Sequence, residues 1–295
     1  MLRIKEIGLM SQYAALLLCL CMALCGCGGH SGDSADGDKP LVMVTIEPVR
    51  YFTEQIAGNL VQVESMVPRG SNPETYDPTP RQMMRLGTSI AYLYNGGYLG
   101  FEHSWLERLQ QNAADTHFFD LSEGMDLITD HHESAGIDTH IWCSCANARI
   151  MARNILNALV SLDEGNASTY TAGYNSLLAE IDRTDSIIRQ KTADIKSTRT
   201  FVIYHPALTY YAAEYGLEQI PIEKDGKEPS AAGLKDLIDD SVKKQVRVVF
   251  IQPEFDSHNA EAIATQIGAR VVDINPISYD WSTEMVHIAE SLQAE

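Results

Sequence analysis

Two histidines stand in nearly the same local setting, each closing an apolar run and each followed by a turn into a helical stretch. They are His140 in Asp138-Thr139-His140-Ile141-Trp142 and His205 in Phe201-Val202-Ile203-Tyr204-His205-Pro206-Ala207. Imidazole nitrogen is a ready ligand for zinc and its neighbours among the transition metals. A third segment, Gly70-Ser71-Asn72-Pro73-Glu74-Thr75-Tyr76-Asp77-Pro78-Thr79-Pro80, adds the Glu74 carboxylate on a proline-stiffened loop behind the apolar run Val61 to Val67. In α/β proteins, side chains placed where strands hand over to helices converge across a cleft. One acid and two imidazoles on three such loops point first to a metal site. Ligands so distant in sequence need a preformed fold, which suits capture and release of an ion.

The elements that must position these loops alternate along the chain. Leu41 to Ile46 reads as an opening strand, followed by a helix from about Pro48 to Leu60 and a strand from Val61 to Val67. A short helix over Pro80 to Gly87, a buried strand over Ile90 to Tyr94 and a helix over Glu102 to Ala113 come next; Trp105, Leu106 and Leu109 share a face of the last. Ala146 to Leu162 carries Ile150, Ile155, Leu159 and Leu162 at helical spacing. Asn166 to Ile195 then runs for about 30 residues without proline, about 45 Å of helix, which predicts a connector between two lobes. Beyond it, strands over Thr200 to Tyr204, Val246 to Ile251 and Arg270 to Ile274 alternate with helices over Leu208 to Tyr215, Ser230 to Lys244, Asn259 to Ile267 and from Trp281 onward. Ser230 is the expected N-cap of its helix. Such alternation predicts parallel sheets flanked by helices. The expected division is a lobe over 40–164, a connecting helix over 165–197 and a lobe over 198–295.

The three loop segments, in this order and at these separations, resemble the solute-binding proteins of ABC importers for zinc and manganese. In that family a Gly-x-Asn-Pro-His-Thr-Tyr-Glu-Pro-Thr-Pro loop gives the first ligand, an Asp-Pro-His-Ile-Trp segment the second and a Tyr-His-Pro-Ala segment the third. The likeness continues through Glu228-Pro229-Ser230, Gln252-Pro253-Glu254-Phe255, and Asn275-Pro276-Ile277-Ser278 with Asp280-Trp281, from about Val42 to Met285. The resemblance implies an α/β fold of two Rossmann-like lobes joined by one long rigid helix. It also implies a monomer that holds zinc through Glu74, His140 and His205 and delivers it to an ABC permease and its ATPase.

Departures from the family pattern bear on the metal. Glu74 replaces the family's histidine, and a carboxylate, as a harder donor, shifts preference toward Mn²⁺ or Fe²⁺. His205 is the zinc-type choice where manganese-type relatives carry glutamate, so Zn²⁺ is the favoured cargo. Asn275 stands where many relatives have a ligating aspartate; an amide is a poor zinc ligand, which leaves direct contact by Asn275, or a water, for the fourth place. Asp77 and Asp273 are the candidates to stand behind the ligands, Asp273 with a further option of ligating after a shift. Cys143 and Cys145 are tempting thiolates beside His140, but the helix should begin near Cys145 and buried apolar packing is the favoured role. His131, His132 and Glu133 lie in a short polar loop, read as a solvated loop ahead of a low-affinity metal collector.

The chain carries 40 acidic against 22 basic side chains, a formal charge of −18. Phosphate binding wants the opposite sign, which excludes nucleic acid as a partner; a negative surface gathers cations without selecting among them. Arg3 and Lys5 precede an apolar stretch from about Ala14 to Leu24, too short for a membrane span but suited to a signal peptide over 1–26. A small residue directly before Cys27 matches the bacterial lipoprotein pattern, so Cys27 is the expected lipid-bearing residue, followed by a flexible tether over 27–39. The expected location is thus the periplasm or cell envelope, on a lipid anchor. Of six cysteines only Cys143 and Cys145 lie beyond that segment, which leaves no disulfide framework.

Two other functions compete with metal binding. The sequence has no His-Glu-x-x-His, Gly-x-Ser-x-Gly or Gly-rich phosphate loop, so a hydrolase is not expected. A metal-binding surface adhesin is the other rival, and no aromatic patch recognisable in the sequence favours it. Because imidazoles must be neutral to ligate, affinity for the ion is expected to fall steeply below about pH 6.

Overall fold

The computed structural model describes residues 39–129, 136–223, 226–227, 229–255 and 258–293. The expected signal peptide, Cys27 and nearly all of the tether lie outside the described residues, as do His131, His132, Glu133 and Glu228.

Eight strands form two parallel sheets. The first contains β1 (Leu41–Val44), β2 (Gln62–Ser65), β3 (Ala91–Tyr94) and β4 (His117–Asp120) in the order β2-β1-β3-β4. The second contains β5 (Thr200–Ile203), β6 (Glu218–Pro221), β7 (Val248–Ile251) and β8 (Arg270–Asp273) in the order β6-β5-β7-β8. The inner strands β1 and β5 are buried at every position, as parallel strands covered on both faces must be, and their sequences are correspondingly apolar. Successive side chains of β5 serve different cores. Phe201 and Ile203 join the large cluster that runs from the first lobe into the second, whereas Val202 and Tyr204 join a smaller cluster on the far face.

The helices are α1 (Glu47–Ala57), α2 (Pro80–Leu86), α3 (Gly100–Asn112), α4 (Cys145–Leu162), α5 (Ala167–Ala193), α6 (Thr209–Tyr215), α7 (Ala231–Lys243), α8 (His258–Ile267) and α9 (Trp281–Gln293). Their starts follow the expected chemistry. Pro48 occupies the first turn of α1, Thr79 and Gln82 make a reciprocal capping box on α2, and Ser144 and Ser230 accept N–H bonds at the starts of α4 and α7.

The connector α5 has 27 residues and is about 40 Å long. Tyr170, Leu177, Ile181, Asp185, Ile188 and Thr192 form its buried stripe, and it packs on α1 and α4 of the first lobe and on α9 of the second. The approach to α1 is close enough to dictate a residue: a Cβ on Gly173 would lie 2.4 Å from the Ile56 carbonyl oxygen.

Two fully buried tryptophans fasten the lobes. Trp142 Nε1 donates to the Pro276 carbonyl at 2.9 Å, and Trp281 Nε1 donates to the Trp142 carbonyl at 2.8 Å. Trp281 also meets Phe52 edge to face at 5.1 Å between ring centroids. Nearer the surface, the Tyr279 hydroxyl donates to Glu54, and Arg50 and Arg69 both sit over the Tyr279 ring. Residues 39–295 accordingly form one compact unit.

Candidate metal centre

The C-terminal ends of strands from both sheets face a shared cavity; Glu74 and His205 come from the loops after β2 and β5, whereas His140 lies 20 residues beyond the end of β4. Glu74 lies on the loop after β2. The Asn72 side chain accepts the Glu74 N–H at 2.8 Å and sets the turn. The Gly100 N–H at the start of α3 donates to Glu74 Oε2 at 2.9 Å, and the Phe101 N–H to the Pro73 carbonyl at 3.0 Å. Only glycine fits at 100, because a Cβ there would lie 2.4 Å from the Glu74 carbonyl oxygen. With Oε2 held by a helix N-terminus, Oε1 remains buried and without a hydrogen-bond partner.

His140 stands just before a short 3-10 turn (Ile141–Cys143) that leads into α4. Its backbone N–H and its ring Nδ1 both meet Asp138 Oδ1, at 2.9 and 3.2 Å. Burial works to raise the Asp138 carboxyl, but the charge and hydrogen bonds of His140 outweigh it and hold it below the usual carboxylate range. The Tyr210 hydroxyl donates to the Asp138 carbonyl at 3.1 Å, which ties this segment to the second lobe.

His205 follows β5 directly. Its N–H donates to Gln252 Oε1 at 3.3 Å and its carbonyl accepts from Gln252 Nε2 at 2.7 Å, so one amide side chain clamps its backbone from the end of β7. Phe255 stacks on the imidazole at 5.0 Å between centroids with an 18° tilt. Glu223 Oε1 lies 3.6 Å from Nδ1, beyond hydrogen-bond length, and that nitrogen is buried without a hydrogen-bond partner. Each imidazole has a carboxylate on its Nδ1 side, but only at His140 is it hydrogen-bonded, the arrangement that fixes ring orientation in metal sites.

The faces turned inward are the Nε2 atoms, 3.1 Å apart. One ligand atom each from Glu74, His140 and His205 lies within 4.8 Å of the others, the one such group of metal-ligating side chains among the described residues. Donors of a tetrahedral zinc with bonds of about 2.0–2.2 Å stand roughly 3.4 Å apart, so small side-chain adjustments bring the three onto one ion.

Other residues singled out in the sequence lie elsewhere. Asp77 accepts the Trp105 indole N–H at 3.0 Å on an exposed stretch and does not line the cavity. Asp273 is exposed at the end of β8, with its carbonyl taken by His287 Nε2 at 3.1 Å, so strand direction turns its carboxylate away from the cavity its neighbours line. Neither aspartate is brought behind a ligand. Asn275 has its N–H on Glu284 Oε1 at 2.8 Å; the residues that follow it, Pro276 and Ile277, line the cavity while Asn275 does not. Cys143 and Cys145 are both buried, and burial raises both thiols, Cys145 to about 12, so neither is poised as a thiolate.

Asp138, Glu223, Gln252 and Glu254 are the functional neighbours that sequence reasoning left without a role. Asp138 carried a local signal, an acid two residues before a histidine, the spacing of an Asx turn. Glu223 had none, and Gln252 only its place in a segment shared with the family; the pairing of β6 and β7 with β5 is what brings them to His205.

Comparison with known proteins agrees with this geometry. The model of the family described as ZnuA, zinc-uptake complex component A, periplasmic, matches residues 42–294. The high-affinity zinc uptake system protein ZnuA of Bacillus subtilis (strain 168) is 30% identical over 291 residues, covering 92% of this chain and 89% of the relative. The manganese-binding lipoprotein MntA of Halalkalibacterium halodurans is 26% identical over 263 residues, covering 88% and 86%. A crystal structure of ZnuA superposes with a TM-score of 0.82 at 36% identity, covering 87% of this chain and 98% of that one. A zinc-bound deletion mutant of ZnuA gives 0.82 at 35% identity, covering 88% and 100%. The chain belongs to the ZnuA family of periplasmic zinc-uptake components.

Proposed function

We propose that this protein captures Zn²⁺ outside the cytoplasmic membrane and delivers it to the permease and ATPase of an ABC importer. The observation that carries the reading is the convergence of Glu74, His140 and His205 to within 4.8 Å from both lobes. Neutral imidazole and carboxylate are the donors zinc takes in a tetrahedral site. Asp138 holds the His140 ring by Nδ1, which leaves Nε2 free of its proton for the ion. Glu223 stands ready to do the same for His205.

The role is binding and transfer, as a solute-binding component, with no reaction catalysed. Anchoring through an acylated Cys27 and a monomeric state complete the reading, supported by the lipoprotein pattern in the sequence and by relatives described as lipoproteins. Glu74 in place of an imidazole keeps Mn²⁺ and Fe²⁺ as the second reading, since oxygen donors suit those ions and manganese-binding relatives are similar over most of the chain. A fragment from Pro40 onward, stripped of metal and titrated in competition with zinc, manganese and iron, tests both. Stoichiometric zinc with a clear preference over manganese is the expected result; no uptake of any of the three defeats the proposal.

A further inference from the structure

Three donors leave one position of a tetrahedral zinc site to be filled. We infer that Glu254, on the segment after β7, supplies it, closing the coordination shell around an ion held by Glu74, His140 and His205. The inference rests on the zinc-binding reading above and adds a ligand to it.

Glu254 lines the same cavity as the three ligands, and its Oε1 is buried without a hydrogen-bond partner. A carboxylate oxygen withdrawn from water with nothing to accept is costly unless a cation meets it. Its segment is also fixed to the ligand it would assist. Gln252 clamps the His205 backbone on one side of Glu254, and Phe255 stacks on the His205 ring on the other. Glu254 therefore moves with His205.

The competing position is held back. Asn275 is an amide, its N–H is tied to Glu284, and the next carbonyl, on Pro276, is taken by the Trp142 indole. The Asn275 Oδ1 is likewise buried without a hydrogen-bond partner, but zinc takes carboxylate oxygen in preference to a neutral amide. Glu254 lies outside the set of three whose ligand atoms are all within 4.8 Å of one another, so it reaches the ion by turning about its own side-chain bonds.

The test uses the fragment from Pro40 onward as wild type, Glu254→Gln, Glu254→Ala and Asn275→Ala. Zinc affinity comes from competition titration, and Co²⁺ loading reports the donor set through the visible absorption of the bound ion. Both Glu254 variants are expected to lose zinc affinity by at least about tenfold, the scale on which even outer partners of metal sites act. They should also change the cobalt spectrum, while Asn275→Ala changes neither. A merely structural Glu254 would leave the spectrum unmoved, and the isosteric Glu254→Gln keeps the packing. Unchanged affinity and spectrum in both Glu254 variants overturn the inference, as does a loss seen in Asn275→Ala instead. If wild type binds no zinc, the function proposed above fails along with it, an outcome distinct from wild-type binding that Glu254→Gln leaves intact.

Discussion

His140 Nε2 and His205 Nε2 lie 3.1 Å apart, one ring from each lobe. Two nitrogens bound tetrahedrally to zinc at about 2.05 Å stand roughly 3.3 Å apart. The spacing of the two nitrogens is thus within a few tenths of an ångström of that of a liganding pair. Crystal structures of the metal-free and zinc-loaded protein are expected to differ in this span by less than about 0.5 Å; a parting of the rings by several ångströms in the metal-free form contradicts it.

Asp138 holds His140 through two contacts at once. Replacing it with alanine removes the partner that orients the ring, and a loss of about 10- to 100-fold in zinc affinity is expected from competition titration.

Glu74→His restores an imidazole in the first loop. Softer donors favour zinc over manganese, so the ratio of zinc to manganese affinity is expected to rise. Parallel titrations of the two metals on the variant and on wild type measure it.

Gly173→Ala sets two effects against each other. Alanine is the better helix former by about 1 kcal/mol. Its methyl, however, would lie 2.4 Å from the Ile56 carbonyl, and forcing α5 from α1 costs about 1–3 kcal/mol. Thermal unfolding should show a lowered Tm, the opposite of the usual gain from such a change.

Glu102 is buried in the first lobe, where it accepts bonds from the Thr45 hydroxyl and from the backbone N–H groups of Asn95 and Gly97. Burial pushes its carboxyl from the ordinary 4.5 up to about 7, against the pull of those donors. Between these values the folded protein binds more protons than the unfolded chain, so stability is full below about 4.5 and declines as pH rises through 7. The decline is on the order of 3 kcal/mol. Denaturant unfolding of the metal-free protein at pH 5 and pH 8 should reveal it, and Glu102→Gln should remove that part of the slope.

Both lobes, the connector and the inner strands were legible because burial on two faces demands apolar β-branched runs, as in Leu41-Val42-Met43-Val44 and Phe201-Val202-Ile203. The strands β4 and β6 were not. His117-Phe118-Phe119-Asp120 and Glu218-Gln219-Ile220-Pro221 are edge strands, partly exposed and polar, and β6 ends on proline; a neighbour's pairing holds them in place more than their own pattern does. Glu74 and His205 stood out by their place after strands, and His140 by its segment just ahead of a helix. What surrounds them did not: Glu223 lies two residues past the edge strand β6, and Glu254 lines the cavity from the segment after β7 that Gln252 ties to His205.

The indole hydrogen bonds of Trp142 to the Pro276 carbonyl and of Trp281 to the Trp142 carbonyl bear on how the ion can leave. Prying the halves apart would expose two indoles and break both bonds, at a cost on the order of 5 kcal/mol. A spontaneous wide-open form would then be rarer than about one molecule in a thousand. Release with the halves still clasped, one donor at a time from the rim segments around Glu74 and Phe255, would avoid that cost.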